Sequence, residues 1–202
     1  NEGDLMLLAT KATPEKVAFM VRNTTGILCV ALRKSRAREL HLPLMVENNE
    51  DERRTAFTIA VDFAPGITTG VSAIERSRTI TALADEKTSP KDLIRPGHVY
   101  PLVAHEDVLL GRQGHTEAGI ALSQLSRSSE HALLSEIVNA DGSMARGESL
   151  REFAGHHEIP IISIADLTEF YVANFKVSES EAVKLEWAEL PIDNNIWQIA
   201  TY

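Results

Sequence analysis

The sequence has a single cysteine, no long apolar run and a deficit of positive charge. With Cys29 alone, an intramolecular disulfide and any multi-cysteine zinc site are excluded. No stretch reaches the roughly 18 to 20 apolar residues that a membrane-spanning helix needs, so no membrane association is expected. Lys and Arg number 20 against 29 Asp and Glu, a formal net charge of −9. A nucleic-acid surface would want a clustered basic stripe, so no nucleic-acid partner is expected. A small anionic substrate is still admitted, because one local arginine or a metal outweighs the global field. A glycine-rich dinucleotide turn after the first strand is also missing, and "GITTGVS" lacks the lysine of a phosphate-binding loop, so no organic cofactor is expected. No signal-peptide pattern is visible, and the expected compartment is the cytoplasm. Asn1 rather than methionine opens the chain, so residues preceding it are expected.

What is present reads as one domain with a substantial core: 202 residues, 44% hydrophobic, mean hydropathy −0.11. Helix and strand signals alternate along the chain, the pattern of an α/β domain. "TPEKVAFMVRNT" reads as a helix, with Thr13 as cap and Pro14 at the first helical position. "GILCVAL" suits a buried strand, and "SRARELHL" a short charged helix ending before Pro43. "MVENNEDERRTAF" reads as a solvated loop, "FTIAVDF" as a strand and "SAIERSRTITALADE" as a helix. Ser89-Pro90 starts another short helix. "HVYPLVA" and "DVLL" read as strands on either side of a turn. Beyond them "TEAGIALSQLS", "LREFAGHHE" and "LTEFYVANF" read as helices, "ALLSEIVN" and "PIISIAD" as strands. "KVSESEAVKLEWAEL" is charged and linker-like.

Four polar clusters interrupt the alternation where strands meet turns or helices, the junctions at which α/β proteins gather their sites. In "NEGD", Glu2 and Asp4 flank a glycine; they are either hard oxygen ligands suited to Mg²⁺ or Mn²⁺ or a solvated acidic turn. "RPGHVYP" puts His98 at the mouth of a strand. "GRQGHTE" is either a glycine turn opening a helix, with Glu117 at the positive end of the dipole, or a turn that grips an anion. "SEIVNADGSMAR" carries Glu136 in an otherwise apolar strand, and a buried carboxylate is costly unless paired or bound to a cation. His41, His105 and His131 read as surface residues, and His156 and His157 as helix-end cations.

"NEGDL", "TGILC", "LPLMVENN", "FTIAVDF", "GITTGVSAIERSRTI", "RPGHVYPL", "GRQGHTEAGIAL", "EIVNADGSMAR" and "FAGHHEIPIISIADL" follow one another in the order of the motifs of 3,4-dihydroxy-2-butanone 4-phosphate synthases. The chain resembles that family from Asn1 to about Tyr171. The resemblance implies a single-domain layered α-β-α sandwich with a mixed sheet. It also implies a lyase of riboflavin biosynthesis that converts D-ribulose 5-phosphate to 3,4-dihydroxy-2-butanone 4-phosphate and formate. Mg²⁺ or Mn²⁺, two ions per site, would act as Lewis acid on the substrate oxygens. By the same resemblance His115 is a metal ligand, with a glutamate of the N-terminal acidic loop as its companion. His98 and Glu136 are the catalytic pair. Asp4, Arg112, Gln113, Gly114, His115, Thr116 and Glu136 bind substrate, with the "GRQGHT" turn on the phosphate. A cytoplasmic homodimer is implied, with the active site close to the subunit interface.

Two departures accompany the resemblance. The family's string of Asp and Glu, ending in Arg and Glu, stands just before "NEGD", and this chain starts after it; either the companion metal ligand stands in residues preceding Asn1, or the protein lacks half of its metal site. Asn23 stands where the family has histidine. The tail "AELPIDNNIWQIATY" is similar to the start of a GTP cyclohydrolase II domain, which divides the chain into a synthase domain, 1–175, and a linker with the start of a following domain, 176–202. The three zinc cysteines of that second enzyme are absent here. Against the active lyase stands a catalytically impaired paralogue, or the structural half of a bifunctional riboflavin enzyme.

Overall fold

The fold is described by a computed structural model, which covers residues 2–127, 129–175 and 198–201. Seven strands form one mixed sheet: β1 (Gly3–Leu8), β2 (Cys29–Leu32), β3 (Val61–Phe63), β4 (Leu93–Val103), β5 (Ala132–Glu136), β6 (Ile161–Ser163) and β7 (Gln198–Thr201). Their order is β3-β4-β2-β5-β1-β7-β6. Strands β2 and β4 pair in parallel, as do β6 and β7, and the other neighbours are antiparallel.

Side chains alternate across a strand, so each strand of a covered sheet feeds two cores. Leu5, Leu7, Val30, Leu32 and Leu133 enter one cluster, and Met6, Cys29, Ala31 and Leu134 the other. Helices α1 (Pro14–Asn23), α3 (Ala73–Ala84) and α5 (Glu148–His157) supply Val17, Met20, Ile80, Leu83, Leu150 and Ala154 to the first cluster. Helices α4 (His115–Ser126) and α6 (Ile164–Phe175) supply Ile120, Ala121, Ile164 and Leu167 to the second. The molecule is thus the layered α-β-α sandwich with a mixed sheet that the resemblance implied. The short α2 (Lys34–Glu39) follows β2.

Local chemistry sets the helix starts. Thr13 accepts the Lys16 N–H and Ser72 the Glu75 N–H, each the side-chain cap of its helix. "MVENNEDERRTAF" forms no regular element, as expected.

Three local readings change. "DVLL" is a 3₁₀ turn, Val108–Leu110, and not a strand; Val108 has φ +50° and Gly111 packs against the His105 ring, so the chain turns where an apolar run suggested extension. "NEGD" is no terminal turn: it opens β1, whose six residues are all buried. His131 is 6% exposed, because it sits one residue before β5 and its carbonyl accepts the Ala9 N–H. His41 and His105 are exposed as expected. Residues 176–197, most of the segment read as linker and domain start, lie outside the described residues, while 198–201 pair as β7 between β1 and β6.

Candidate active site

The pairing of β1 with β5 sets Asp4 opposite Glu136. Directly opposed residues of an antiparallel pair share a face, so the two carboxylates are neighbours. Glu136 is the last residue of β5, where Thr25 donates its hydroxyl to Oε2 at 3.0 Å and its N–H to the Glu136 carbonyl at 2.8 Å. Asp4 is 4% exposed, and its Oδ1 has no hydrogen-bond partner. His115 Nδ1 lies 3.4 Å from that oxygen, near enough for an ion pair but without hydrogen-bond geometry.

His115 is the first residue of α4, and Gly114 its N-cap. A Cβ on Gly114 would lie 2.2 Å from the Arg112 guanidinium and 2.7 Å from the Glu117 carboxylate, so a side chain there would displace that ion pair. Gly114 has no side chain to cap the helix, whose positive N-terminal end faces this turn. Arg112 donates to Glu117 at 2.5 Å and to the Arg53 carbonyl at 3.0 Å. Glu117, 1% exposed, also accepts the His105 N–H at 2.9 Å. It is the buried anchor of the turn rather than only a charge near the helix dipole.

These groups open into one pocket. Glu2, Asp4, Arg53, Arg112, His115, Thr116 and Glu136 form its polar wall, with Cys29, Phe57, Leu102 and Leu134 beneath. Gln113 is not part of the wall, and Gly114 contributes through the turn it permits. His98 is outside the pocket as well. It stands on β4, held by Asp62, a residue the sequence reading passed over. The signal was available: Asp62 is a carboxylate in an apolar strand, as Glu136 is. Arg146, which donates to Glu2 at 2.5 Å, was also passed over.

The electrostatics are those of crowded carboxylates. Burial raises the Asp4 carboxyl well above its usual range, and the Glu136 and Glu2 carboxylates push it further up. Burial also pushes the Cys29 thiol up, with Glu136 and Asp4 adding to the effect. Glu2 is held low by its bond to Arg146. A divalent cation would relieve that crowding, and imidazole with carboxylates is a donor set that Mg²⁺ or Mn²⁺ accepts. Among the described residues no three such donors stand together at ligating distance. The unpartnered Asp4 oxygen beside His115 nevertheless fits a neighbouring cation.

Residues 1–170 match the family model for 3,4-dihydroxy-2-butanone 4-phosphate synthase. The 3,4-dihydroxy-2-butanone 4-phosphate synthase of Agrobacterium fabrum is 42% identical over 170 residues, 84% of this chain and 80% of its own. The chloroplastic bifunctional riboflavin biosynthesis protein RIBA 1 of Arabidopsis thaliana is 49% identical over 172 residues, 84% of this chain. The chain spans only 32% of the length of that relative. A crystal structure of 3,4-dihydroxy-2-butanone 4-phosphate synthase in complex with two magnesium ions superposes with TM-score 0.81 at 37% identity, covering 88% of this chain and 86% of its own.

Proposed function

Since the chain belongs to the 3,4-dihydroxy-2-butanone 4-phosphate synthase family, we propose that its pocket converts D-ribulose 5-phosphate to 3,4-dihydroxy-2-butanone 4-phosphate and formate in riboflavin biosynthesis. The observation that carries the reading is the meeting of Asp4, Glu136 and His115 in one wall with the Arg112–Thr116 turn.

The substrate must lose a proton from carbon, lose a hydroxyl, undergo a skeletal shift and expel one carbon as formate. Glu136 is one of two groups that take and return protons, its Oε2 fixed by the Thr25 hydroxyl. Asp4 receives the sugar hydroxyls. Arg112, pre-oriented by Glu117, and the positive N-terminal end of α4 hold the phosphate, with Gln113, Gly114 and Thr116 completing that turn. His115, with an acidic-loop carboxylate as the family resemblance implies, would hold Mg²⁺ or Mn²⁺, two ions per site, and no organic cofactor takes part. When bound, the ions stabilise negative charge on the substrate oxygens as Lewis acids.

His98 reaches the reaction across a homodimer. Its side chain is 45% exposed, and Ile94 on the same strand and Val71 beside Gly70, which lies against His98, are exposed large apolar residues, as is Ile74. A second copy covering this face is the homodimer the reading requires, with His98 as the second catalytic group. Residues 1–175 are the synthase unit, to whose sheet β7 also adds, and the tail 176–202 carries the similarity to a cyclohydrolase II start. No described helix is long and apolar enough to cross a membrane. The proposed partners are a sugar phosphate and a second copy of the chain in the cytoplasm, without nucleic acid or membrane.

The test is metal removal. Protein treated with EDTA and freed of chelator should release no formate from ribulose 5-phosphate, and Mg²⁺ or Mn²⁺ should restore the release. Formate release at the untreated rate by the metal-free protein would remove the metal from the mechanism.

A further inference from the structure

Asp62 is 3% exposed, and both of its oxygens face one residue. Oδ1 accepts the backbone N–H of His98 at 3.0 Å, and Oδ2 lies 2.7 Å from His98 Nδ1. An ionised carboxylate only accepts, so this contact puts a ring hydrogen on Nδ1, and in the neutral imidazole Nε2 then carries the lone pair. The arrangement is made possible by close backbone approaches. A Cβ on Gly97 would lie 2.0 Å from the Val61 carbonyl carbon, so β4 meets β3 at this point only through glycine. Gly70, at φ +80°, closes another side of the pair: a Cβ there would lie 2.1 Å from Asp62 Oδ2 and 2.9 Å from His98 Nδ1.

The loop that carries Gly70 is itself clamped. Glu75, in the first turn of α3, accepts the Thr68 N–H at 2.5 Å and the Thr68 hydroxyl at 2.8 Å on Oε1, and the Ser72 hydroxyl at 2.9 Å on Oε2. The bonds from Thr68 and Ser72 hold its carboxyl down at about 2, so the clamp stays charged across the working range of most enzymes. Thr79, one turn further along α3, donates to the Glu75 carbonyl and accepts the Phe63 N–H at 2.9 Å, which ties the helix to the strand that carries Asp62.

We propose that Asp62 is a positioning residue for His98, fixing its Nδ1–H tautomer, and that Glu75 seals the pair by holding Gly70 over it. The proposal rests on the reading of His98 as a catalytic group. Nε2 takes a proton from the substrate and returns it in a later step. Nδ1 keeps its hydrogen throughout, and the Asp62 carboxylate, which never receives the proton, stabilises the transient imidazolium.

Asp62→Asn keeps the shape and one acceptor for the His98 N–H. Its amide NH₂ then faces Nδ1 and forces the ring hydrogen onto Nε2. The expected result is a kcat lower by on the order of 10²-fold or more, with KM within about threefold of wild type. Nitrogen-15 NMR of the imidazole should report the Nδ1–H tautomer in the wild-type protein and Nε2–H in the variant. Should the variant not fold, the wild-type spectrum decides the tautomer, and Thr68→Val combined with Ser72→Ala, which loosens the clamp, should lower kcat and mix the tautomers. Wild-type kcat in Asp62→Asn beside an inactive His98→Asn, or an Nε2–H tautomer in the wild-type protein, overturns the proposal while sparing His98. Wild-type turnover in His98→Asn overturns the reading of His98 and the proposal with it.

Discussion

Asp4 and Glu136 face each other because β1 and β5 run antiparallel in one register. A slip of one residue would send one carboxylate to the other face of the sheet, so the strand pairing is itself a site determinant. Arg112 is the residue on which substrate affinity should depend most. Its guanidinium is already held by Glu117, so little ordering would be left to be done if phosphate binds there, as proposed. A phosphate contact made alike in ground and transition states acts on KM. Charge-assisted bonds of this kind contribute on the order of 1.5 to 3 kcal/mol, so Arg112→Ala should lose about ten- to a hundredfold in kcat/KM, mostly through KM. Steady-state kinetics with ribulose 5-phosphate check this, and an unchanged KM would place the phosphate elsewhere. Glu136 was legible because a lone carboxylate in an apolar strand is conspicuous. Asp62 carries the same mark but lies in the less regular "FTIAVDF", of which only Val61–Phe63 is strand. Its partner His98 is 36 residues away in sequence, a separation at which no local pattern operates.

Among the elements, α4 joins site and core as β1 and β5 do. Its first residue is His115, and two turns of its buried face lie against the sheet. Gly119 lets it approach: a Cβ at that position would lie 3.0 Å from the Ala132 Cβ and 3.6 Å from the Ala31 Cβ. Gly119→Val should therefore wedge the helix away from β2 and β5. Overpacking of this kind costs about 1 to 3 kcal/mol, partly offset by valine's better helix propensity. A melting temperature lower by about 2 to 4 °C per kcal/mol is expected for a chain of this size. An unchanged or raised melting temperature would mean that the helix does not depend on this contact. Most helices were legible from caps and periodicity, as with Thr13-Pro14 and the Ser72 start of α3. Strand β1 was not: "GDLMLL" is buried on both faces, and a strand covered on both sides has no alternation to read. "DVLL" misled for the opposite reason, since a short apolar run is equally compatible with a buried turn.

For the whole molecule, acid stability is the property most open to measurement. His131 is buried among Arg33 and Arg36; burial first, then those two cations, bring its imidazole down from 6.5 to about 4. The unfolded chain then binds a proton that the folded one refuses, so this contribution is complete above pH 6.5 and falls away as pH drops toward about 4. A 2.5-unit difference, 6.5 minus 4, corresponds to about 3 kcal/mol across the window. His157, lowered mainly by burial, acts in the same direction. Asp4 acts oppositely, because its raised carboxyl favours folding at low pH and that contribution is lost as pH rises through its folded value. The difference between wild type and His131→Phe isolates the histidine. Denaturant titrations from pH 7 to pH 4 should show a steeper loss of stability in wild type than in the variant, and parallel curves would mean that His131 is not held neutral.

The same scale holds the proposed function, because β1 and β5, far apart in sequence, and the α4 turn meet at one cavity. Uniformly carbon-13-labelled ribulose 5-phosphate with saturating Mg²⁺, followed by NMR, tests that claim most directly. Wild-type protein should give equal amounts of formate and a four-carbon phosphate. Glu136→Gln, folded with an unchanged melting temperature, should lose about 10² to 10⁴ in rate, the usual contribution of a general acid–base group. No labelled formate from the intact pocket, or formate from Glu136→Gln at the wild-type rate, would contradict the account.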